Sequence, residues 1–401
     1  MKLLCAGYRV PYPIRDGGNV RSYGYLRELA RRHEVSYLCR ADEPAPEAEQ
    51  HLKGFCHRVE IVVDPFRLRL RDRLRALAGG TPFGVITPAD AVFRRFRDVL
   101  SEERFDLVYL VGVDTALLAL EALEVAPVVW DVCDCTSRYY ARQAGAERRP
   151  SRRLWYRLQA ARYRRLERRV FQRELTVFVG SPSEAAAFRS AIGEWRCRLE
   201  IVPIGVDLVS PAAVAPGPPR LAFTGTLNYR PNADAVLYFC REIFPRVRRR
   251  HPDLRLQIIG GGASPELASA CRAIDGVDLL GFVPDVFQVL RGATIFVCPM
   301  RQGTGIKVKL LEAMACGLPI VASPLALEGM PEAEDGRHLR VAASTDAFVA
   351  GLLELLADGR LRRQLGERAR GLMTRYAWDR LGDEVDRHCR AEVARRRAGV
   401  G

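Results

Sequence analysis

The sequence predicts an α/β protein made of two Rossmann-like β/α/β units. Three observations point there. Short, continuous apolar runs alternate with longer amphipathic ones. The alternation breaks at a proline-rich stretch near residue 210 and then restarts. The 401 residues are too many for one ordinary core and comfortable for two.

In the first half, strands are expected at 3–6, 35–39, 59–63, 107–111, 127–132, 176–179 and 200–202. Their apolar runs are unbroken rather than alternating, as in a parallel sheet buried on both faces. Helical patterns lie between them; in 20–32, Val20, Tyr23, Leu26, Leu29 and Ala30 fall near one face. Residues 208–219, with Pro211, Pro216, Pro218 and Pro219, can continue neither a helix nor a central strand and read as a linker. Further strands are expected at 221–223, 256–259, 278–280, 295–298 and 320–322, and the tail reads helical from Trp378 to about Arg397.

Hydrophobic residues make up 48% of the chain and charged residues 27%, which excludes wholesale disorder and fibrous repeats. The most apolar long stretch, 107–130, carries Asp114, Glu121 and Glu124 and is no membrane span. The apolar run after Met1 is too short for a signal peptide. Eleven scattered cysteines fit a reducing cytoplasm. Cys133 and Cys135 have no second Cys/His pair nearby, so no zinc site is expected.

Three glycine-bearing segments follow strands. Asp16-Gly17-Gly18-Asn19 opens the first helix, where free N–H groups favour an anion, although Gly-Gly also simply makes a turn. It is not GxGxxG, so the nicotinamide fingerprint is absent there. Phe223-Thr224-Gly225-Thr226-Leu227 ends a strand and opens the loop Asn228-Tyr229-Arg230-Pro231-Asn232, at a carboxyl edge where open α/β sheets bind ligands.

The strongest segment runs Gly303-Thr304-Gly305-Ile306-Lys307-Val308-Lys309-Leu310-Leu311-Glu312 and closes its helix at Gly317 before Pro319. Backbone N–H groups from Gly303 to Lys307 suit a diphosphate. The protein has only four lysines, Lys2, Lys53, Lys307 and Lys309, and two of them fall here. An ammonium serves a phosphate as a compact point charge, which a guanidinium replaces poorly at close quarters. Three residues on, Glu312 is a helical neighbour of Lys309.

These residues resemble the donor-site signature of the family-4 glycosyltransferases, retaining enzymes of the GT-B fold. Asp16-Gly17-Gly18, Val202-Pro203-Ile204-Gly205-Val206-Asp207, the 223–232 loop, Gly281-Phe282-Val283-Pro284-Asp285 and Tyr376-Ala377-Trp378 agree with the family in order. The resemblance implies an acceptor-side domain at 1–207, the linker at 208–219, a nucleotide-sugar domain at 220–375 facing the first across a cleft, and a helix at 376–401 crossing back to the first domain.

It implies further that Glu312 binds the donor ribose hydroxyls and that Gly18 lies near the donor phosphate. Lys307 and Lys309 would take the phosphates, within a donor site also formed by Gly225, Arg230, Gly303, Thr304 and Gly305. Two positions depart from the family pattern. Thr304 stands where the first glutamate of E-x7-E is usual. Arg230 is the only basic residue close behind the Gly225 strand. No D-x-D occurs, in keeping with a metal-independent enzyme without cofactor.

Asp131 and Asp134, at a strand end, are the candidate catalytic residues, lining the acceptor side of the cleft, or else they cap the next helix. Residues 138–173 carry thirteen arginines against Glu147 and Glu167, interleaved with Leu154, Trp155, Leu158 and Tyr163. That composition suits an anionic membrane surface, and equally a solvated helix in an arginine-rich protein.

The expected activity is sugar transfer from a nucleotide-diphosphate sugar to a glycan or lipid-linked acceptor, in cell-surface or exopolysaccharide assembly. The setting is cytoplasmic, peripheral on the inner membrane face. The rivals are a GT-B-shaped epimerase, which needs acid/base groups that none of the six histidines supplies in a candidate loop, and a basic nucleic-acid binder, which leaves 303–317 unexplained. A nucleotide-binding member that transfers nothing is kept open by Thr304.

Overall fold

The computed structural model describes residues 1–14, 17–65, 80–210, 217–303 and 305–398. Asp16, Thr304 and linker residues 211–216 lie outside them. The chain divides into two compact units, Met1–Pro203 with Leu381–Gly401, and Ile204–Arg380. Residues 204–207 and 376–380 therefore group with the second unit. A parallel bridge between Val206 and Ala377 joins those segments, and Gly205 leaves room for the Trp378 ring, which a Cβ there would overlap.

The first unit holds a seven-stranded parallel sheet in the order β3-β2-β1-β4-β5-β6-β7. Its strands are β1 (Lys2–Gly7), β2 (Glu34–Ala41), β3 (Arg58–Val63), β4 (Leu107–Val111), β5 (Val128–Cys133), β6 (Thr176–Val179) and β7 (Arg198–Ile201). The central strands are buried on both faces, which is why they read as unbroken apolar runs. Trp130 is fully buried, donates Nε1 to the Gly112 carbonyl at 3.0 Å, and meets Phe171 edge-on at 6.1 Å.

The end of the helix Trp378–Ala398 belongs to this unit. Leu381, Val385, Cys389 and Val393 are buried, and Glu392 accepts a 2.6 Å hydrogen bond from Thr176 of β6. Gly382 sits so close to Glu28 of the helix Gly17–Ala30 that a Cβ would come within 2.8 Å.

The second unit holds a six-stranded parallel sheet ordered β10-β9-β8-β11-β12-β13. Its strands are β8 (Arg220–Thr224), β9 (Arg255–Ile259), β10 (Val277–Gly281), β11 (Ile295–Cys298), β12 (Ile320–Ala322) and β13 (Arg340–Val341). In each sheet the strand order reverses once, between β1 and β4 and between β8 and β11. The crevice at the carboxyl ends of such a strand pair is where open parallel sheets bind ligands.

Candidate functional site

In the second unit the order reversal sets β8 beside β11, with Leu221 opposite Ile295. Their trailing loops, one carrying Gly225 and the other Gly303, thus come to one place from 78 residues apart in sequence. The loops after β8, β9 and β10 are knitted together. Gly225 donates to the Ile259 carbonyl at 2.9 Å, Leu227 to Gly261 at 2.8 Å, and Gly260 to Gly281 at 2.7 Å.

Gly225 has φ +146°, and a Cβ there would lie 2.5 Å from Lys309 Nζ and 2.7 Å from Asn232 Nδ2. Only glycine fits, for conformation and for space alike. Lys309 is buried; its ammonium donates to Asn232 Oδ1 at 2.7 Å and stands 4.1 Å over the Phe223 ring. Asn232 in turn donates Nδ2 to the Thr226 carbonyl at 2.8 Å, which fixes its orientation. Among the described residues no carboxylate bonds Lys309 directly. Burial lowers its pKa to about 8, against the pull of Glu312.

Glu312 sits on the same helix, Val308–Ala315, and is partly exposed. Burial pushes its carboxyl up to about 7, with Lys309 pulling it back down. Lys307 immediately precedes this helix, is buried, and donates to the Gly305 carbonyl at 2.6 Å. Gly303 and Gly305 both have positive φ, +119° and +68°, and Gly303 packs near Lys307 and Pro231. The base of this loop is held by Ser323, which donates to the Met300 carbonyl at 2.6 Å.

Gly225, Gly303, Gly305, Lys307, Lys309 and Glu312 are therefore gathered at one edge of one sheet. Arg230 begins the helix Arg230–Tyr238 and is exposed. Two residues without an assigned role in the sequence belong here as well. Asn232 is the partner of Lys309. Arg301 holds Asp234 through Nε at 3.0 Å and Nη2 at 2.7 Å and lies 4.4 Å over the Tyr238 ring.

In the first unit Gly18 lies in the exposed first turn of the helix Gly17–Ala30, and Asn19 ties that turn to the Val10 carbonyl at 2.9 Å. Asp131 is not placed to line a cleft or to cap a helix. It is fully buried, gripped by Arg21 through Nε at 2.9 Å to both oxygens and Nη2 at 2.7 Å, and by the Tyr109 hydroxyl at 2.9 Å. Its oxygens are taken up inside the fold, so Asp131 is a structural ion pair. Asp134 is half-buried beyond the strand end, and the first turn of the next helix, Thr136–Ala146, is capped by Glu167, which accepts from the Ser137 N–H at 3.1 Å.

The order reversal of this sheet instead presents Asp114, just after β4. Burial raises its carboxyl to about 7, although Arg9 and Arg40 pull it down. Its signal in the sequence was a lone acid ending an apolar run.

The helix Pro150–Phe171 buries Tyr163, Leu166, Val170 and Phe171. Leu154, Trp155 and Leu158 are 58%, 41% and 44% exposed, with Arg153, Arg157, Arg164 and Arg165 exposed around them. Arg153, Arg157 and Arg164 also line a groove of about 370 Å³ against the helix Thr136–Ala146, floored by Ala144 and Ala160.

Residues 16–205 match the family model described as a glycosyl transferase 4-like domain, and residues 218–358 the one described as glycosyl transferases group 1. A phosphatidyl-myo-inositol mannosyltransferase of Mycolicibacterium smegmatis is 30% identical over 196 residues, 46% of this chain and 50% of the relative. The match thus spans about half the length of that curated relative. Among solved structures, sucrose-phosphate synthase from Thermosynechococcus elongatus superposes with a TM-score of 0.72 at 16% identity, covering 98% of this chain and 100% of the other. Anabaena Alr3699/HepE in complex with UDP-glucose gives 0.71 at 14%, covering 98% and 100%. At such identities the superpositions speak for the fold, two parallel-sheet Rossmann-like domains of the GT-B kind. With the glycine loops, the paired lysines and the two domain matches in their expected order, the chain belongs to the family-4 glycosyltransferases.

Proposed function

We propose that this protein transfers a sugar from a nucleotide-diphosphate sugar to a glycan or lipid-linked acceptor, retaining the anomeric configuration and needing no metal ion. The observation that carries the reading is the convergence of Lys307, Lys309 and Glu312 with Gly225 and Gly303 at the carboxyl edge of β8 and β11.

Charge develops on the diphosphate as the sugar departs. Two ammonium groups fixed beforehand stabilise that charge without reorganising, and the desolvated position of Lys309 strengthens the effect. Glu312 accepts hydrogen bonds from the two neighbouring ribose hydroxyls, a task suited to a carboxylate. Donating hydroxyls favour its charged form, so nucleotide binding draws its pKa down from about 7. Gly18 offers the exposed N–H groups of a helix start to the donor phosphate.

Three further parts of the reading rest on different supports. The solved relative holding UDP-glucose makes UDP-sugars the first donors to try. The relative named for phosphatidyl-myo-inositol supports an acceptor carried on a lipid, in cell-surface or exopolysaccharide assembly. The exposed Leu154, Trp155 and Leu158 among arginines support docking on the anionic inner face of the cytoplasmic membrane. No helix among the described residues is long and apolar enough to cross a membrane.

The test is thermal stabilisation of the purified protein by UDP, GDP, ADP and TDP, with and without EDTA, beside Glu312→Ala. A ligand at about 100 times its dissociation constant adds ~2.7 kcal/mol of stability. One nucleotide should stabilise the wild type, with EDTA making no difference, and Glu312→Ala should lose the shift. If no nucleotide acts and duplex DNA does, the transferase reading fails.

A further inference from the structure

The second unit has another cavity, at the opposite end of its sheet from the glycine loops. It measures about 740 Å³ and lies where β11 and β12 begin, next to Thr294 and Pro319. Its floor is apolar, with Ala293, Leu318 and Pro319 buried. Its walls carry Arg291, Arg362, Arg363 and Arg370 against one acid, Glu367.

Among the described residues none of these four arginines forms an ion pair with a carboxylate. Arg362 donates to the Leu355 and Leu356 carbonyls at 2.5 and 2.9 Å, and Arg370 to the Val209 carbonyl at 3.1 Å. Both guanidinium groups are thereby fixed in place with charge uncompensated. An apolar floor under several such forks matches a ligand with a hydrocarbon or aromatic body and an anionic head, because a guanidinium presents paired donors to phosphate, sulfonate or carboxylate.

The cavity also adjoins the donor helix. Its wall includes Cys316 and Gly317, where the helix Val308–Ala315 ends, while Lys307, Lys309 and Glu312 stand toward the other end of that helix. The turn at Gly317, φ +71°, is clamped by the helix Gly359–Met373. Gly366 meets the Gly317 carbonyl so closely that a Cβ would overlap it, and Arg370 Cδ is 3.6 Å from a Cβ placed on Gly317.

We propose that this cavity is a second ligand site, separate from the donor crevice, for a small amphiphilic anion. The site binds at the end of the donor helix remote from the lysine loop.

The experiment is calorimetric titration of the full chain with 1-naphthyl phosphate, without UDP and with UDP at saturation, so that a failure of nucleotide binding leaves the result readable. Inorganic phosphate and 1-naphthol are titrated in parallel. The expected result is binding of 1-naphthyl phosphate that UDP does not displace, with each half-ligand at least tenfold weaker. Two variants confirm the place. Gly371→Trp puts a ring into the cavity from a position where a Cβ meets nothing within 4 Å, and Arg363→Glu reverses an exposed wall charge. Each should weaken binding tenfold or more and leave the melting temperature of the unliganded protein within a few degrees of wild type. Absence of binding, competition with UDP, or wild-type affinity in both variants overturns the proposal.

Discussion

The Lys309 ammonium lies 2.7 Å from Asn232 Oδ1 and fills the space that a side chain at position 225 would take. A backbone choice just after β8 and a cation 84 residues later are thus one device. Gly225→Ala should displace the ammonium, abolish nucleotide-induced stabilisation and cost about 1–3 kcal/mol, since alanine disfavours φ +146°. Gly371→Ala, a helical position with open space, is the control and should be neutral or stabilising by up to about 1 kcal/mol. Urea unfolding and a melting scan with nucleotide read both.

Glu312 and Lys309 make the stability of the empty protein depend on pH in opposite directions. The Glu312 pKa is raised to about 7 from 4.5, so its contribution is fully present below about 4.5 and is lost as pH rises through 7. The Lys309 pKa is lowered to about 8 from 10.5, so its contribution is present above about 10.5 and is lost as pH falls through 8. Both are at their weakest near pH 7 to 8, where both groups are charged. Glu312→Gln should flatten the decline between pH 5 and 7. An unchanged slope in urea midpoints over that interval would show that the decline has another source.

Removing one partner of the Arg21–Asp131 pair leaves the other charged in the core of the first unit. Asp131→Ala should cost about 3–5 kcal/mol, while the double variant Arg21→Met/Asp131→Leu should recover most of it, less the unpaired Tyr109 hydroxyl. Asp131→Ala protein of nearly wild-type stability but without transfer would instead make Asp131 catalytic.

Sedimentation with phosphatidylglycerol vesicles tests the helix Pro150–Phe171. Binding should exceed that to phosphatidylcholine and weaken as salt rises. The double variant Leu154→Glu/Leu158→Glu, both side chains exposed, should release the protein without lowering its melting temperature. Equal binding to both lipids removes the charge argument.

The central strands were legible because both their faces are buried, so each apolar run marks its own place. β13 gave no such mark: Arg340 and Val341 are half-exposed and only two residues long. Lys307, Lys309 and Glu312 stood out through composition and local spacing, which a single segment displays. Pairings across the sheet were not visible. Asp131 interrupts an apolar strand, but nothing local says that its partner is Arg21, 110 residues earlier. Asn232 ends the 228–232 segment without any local sign of a partner, and only the pairing of β8 with β11 brings it to Lys309. Asp114 passed as a charge excluding a membrane span, because only strand order puts it at a crevice.

The return of residues 381–398 to the first unit has a consequence for synthesis. Leu381, Val385 and Cys389 complete a core whose other residues leave the ribosome at least 178 residues earlier, and Thr176 waits for Glu392. The second unit, Ile204–Arg380, is contiguous and can close while translation continues. The first-made half is therefore finished last, and a nascent chain stalled near residue 380 carries a complete second unit behind an unfinished first one with an open apolar seam. That intermediate, more than any fully made chain, is the species a chaperone has to guard.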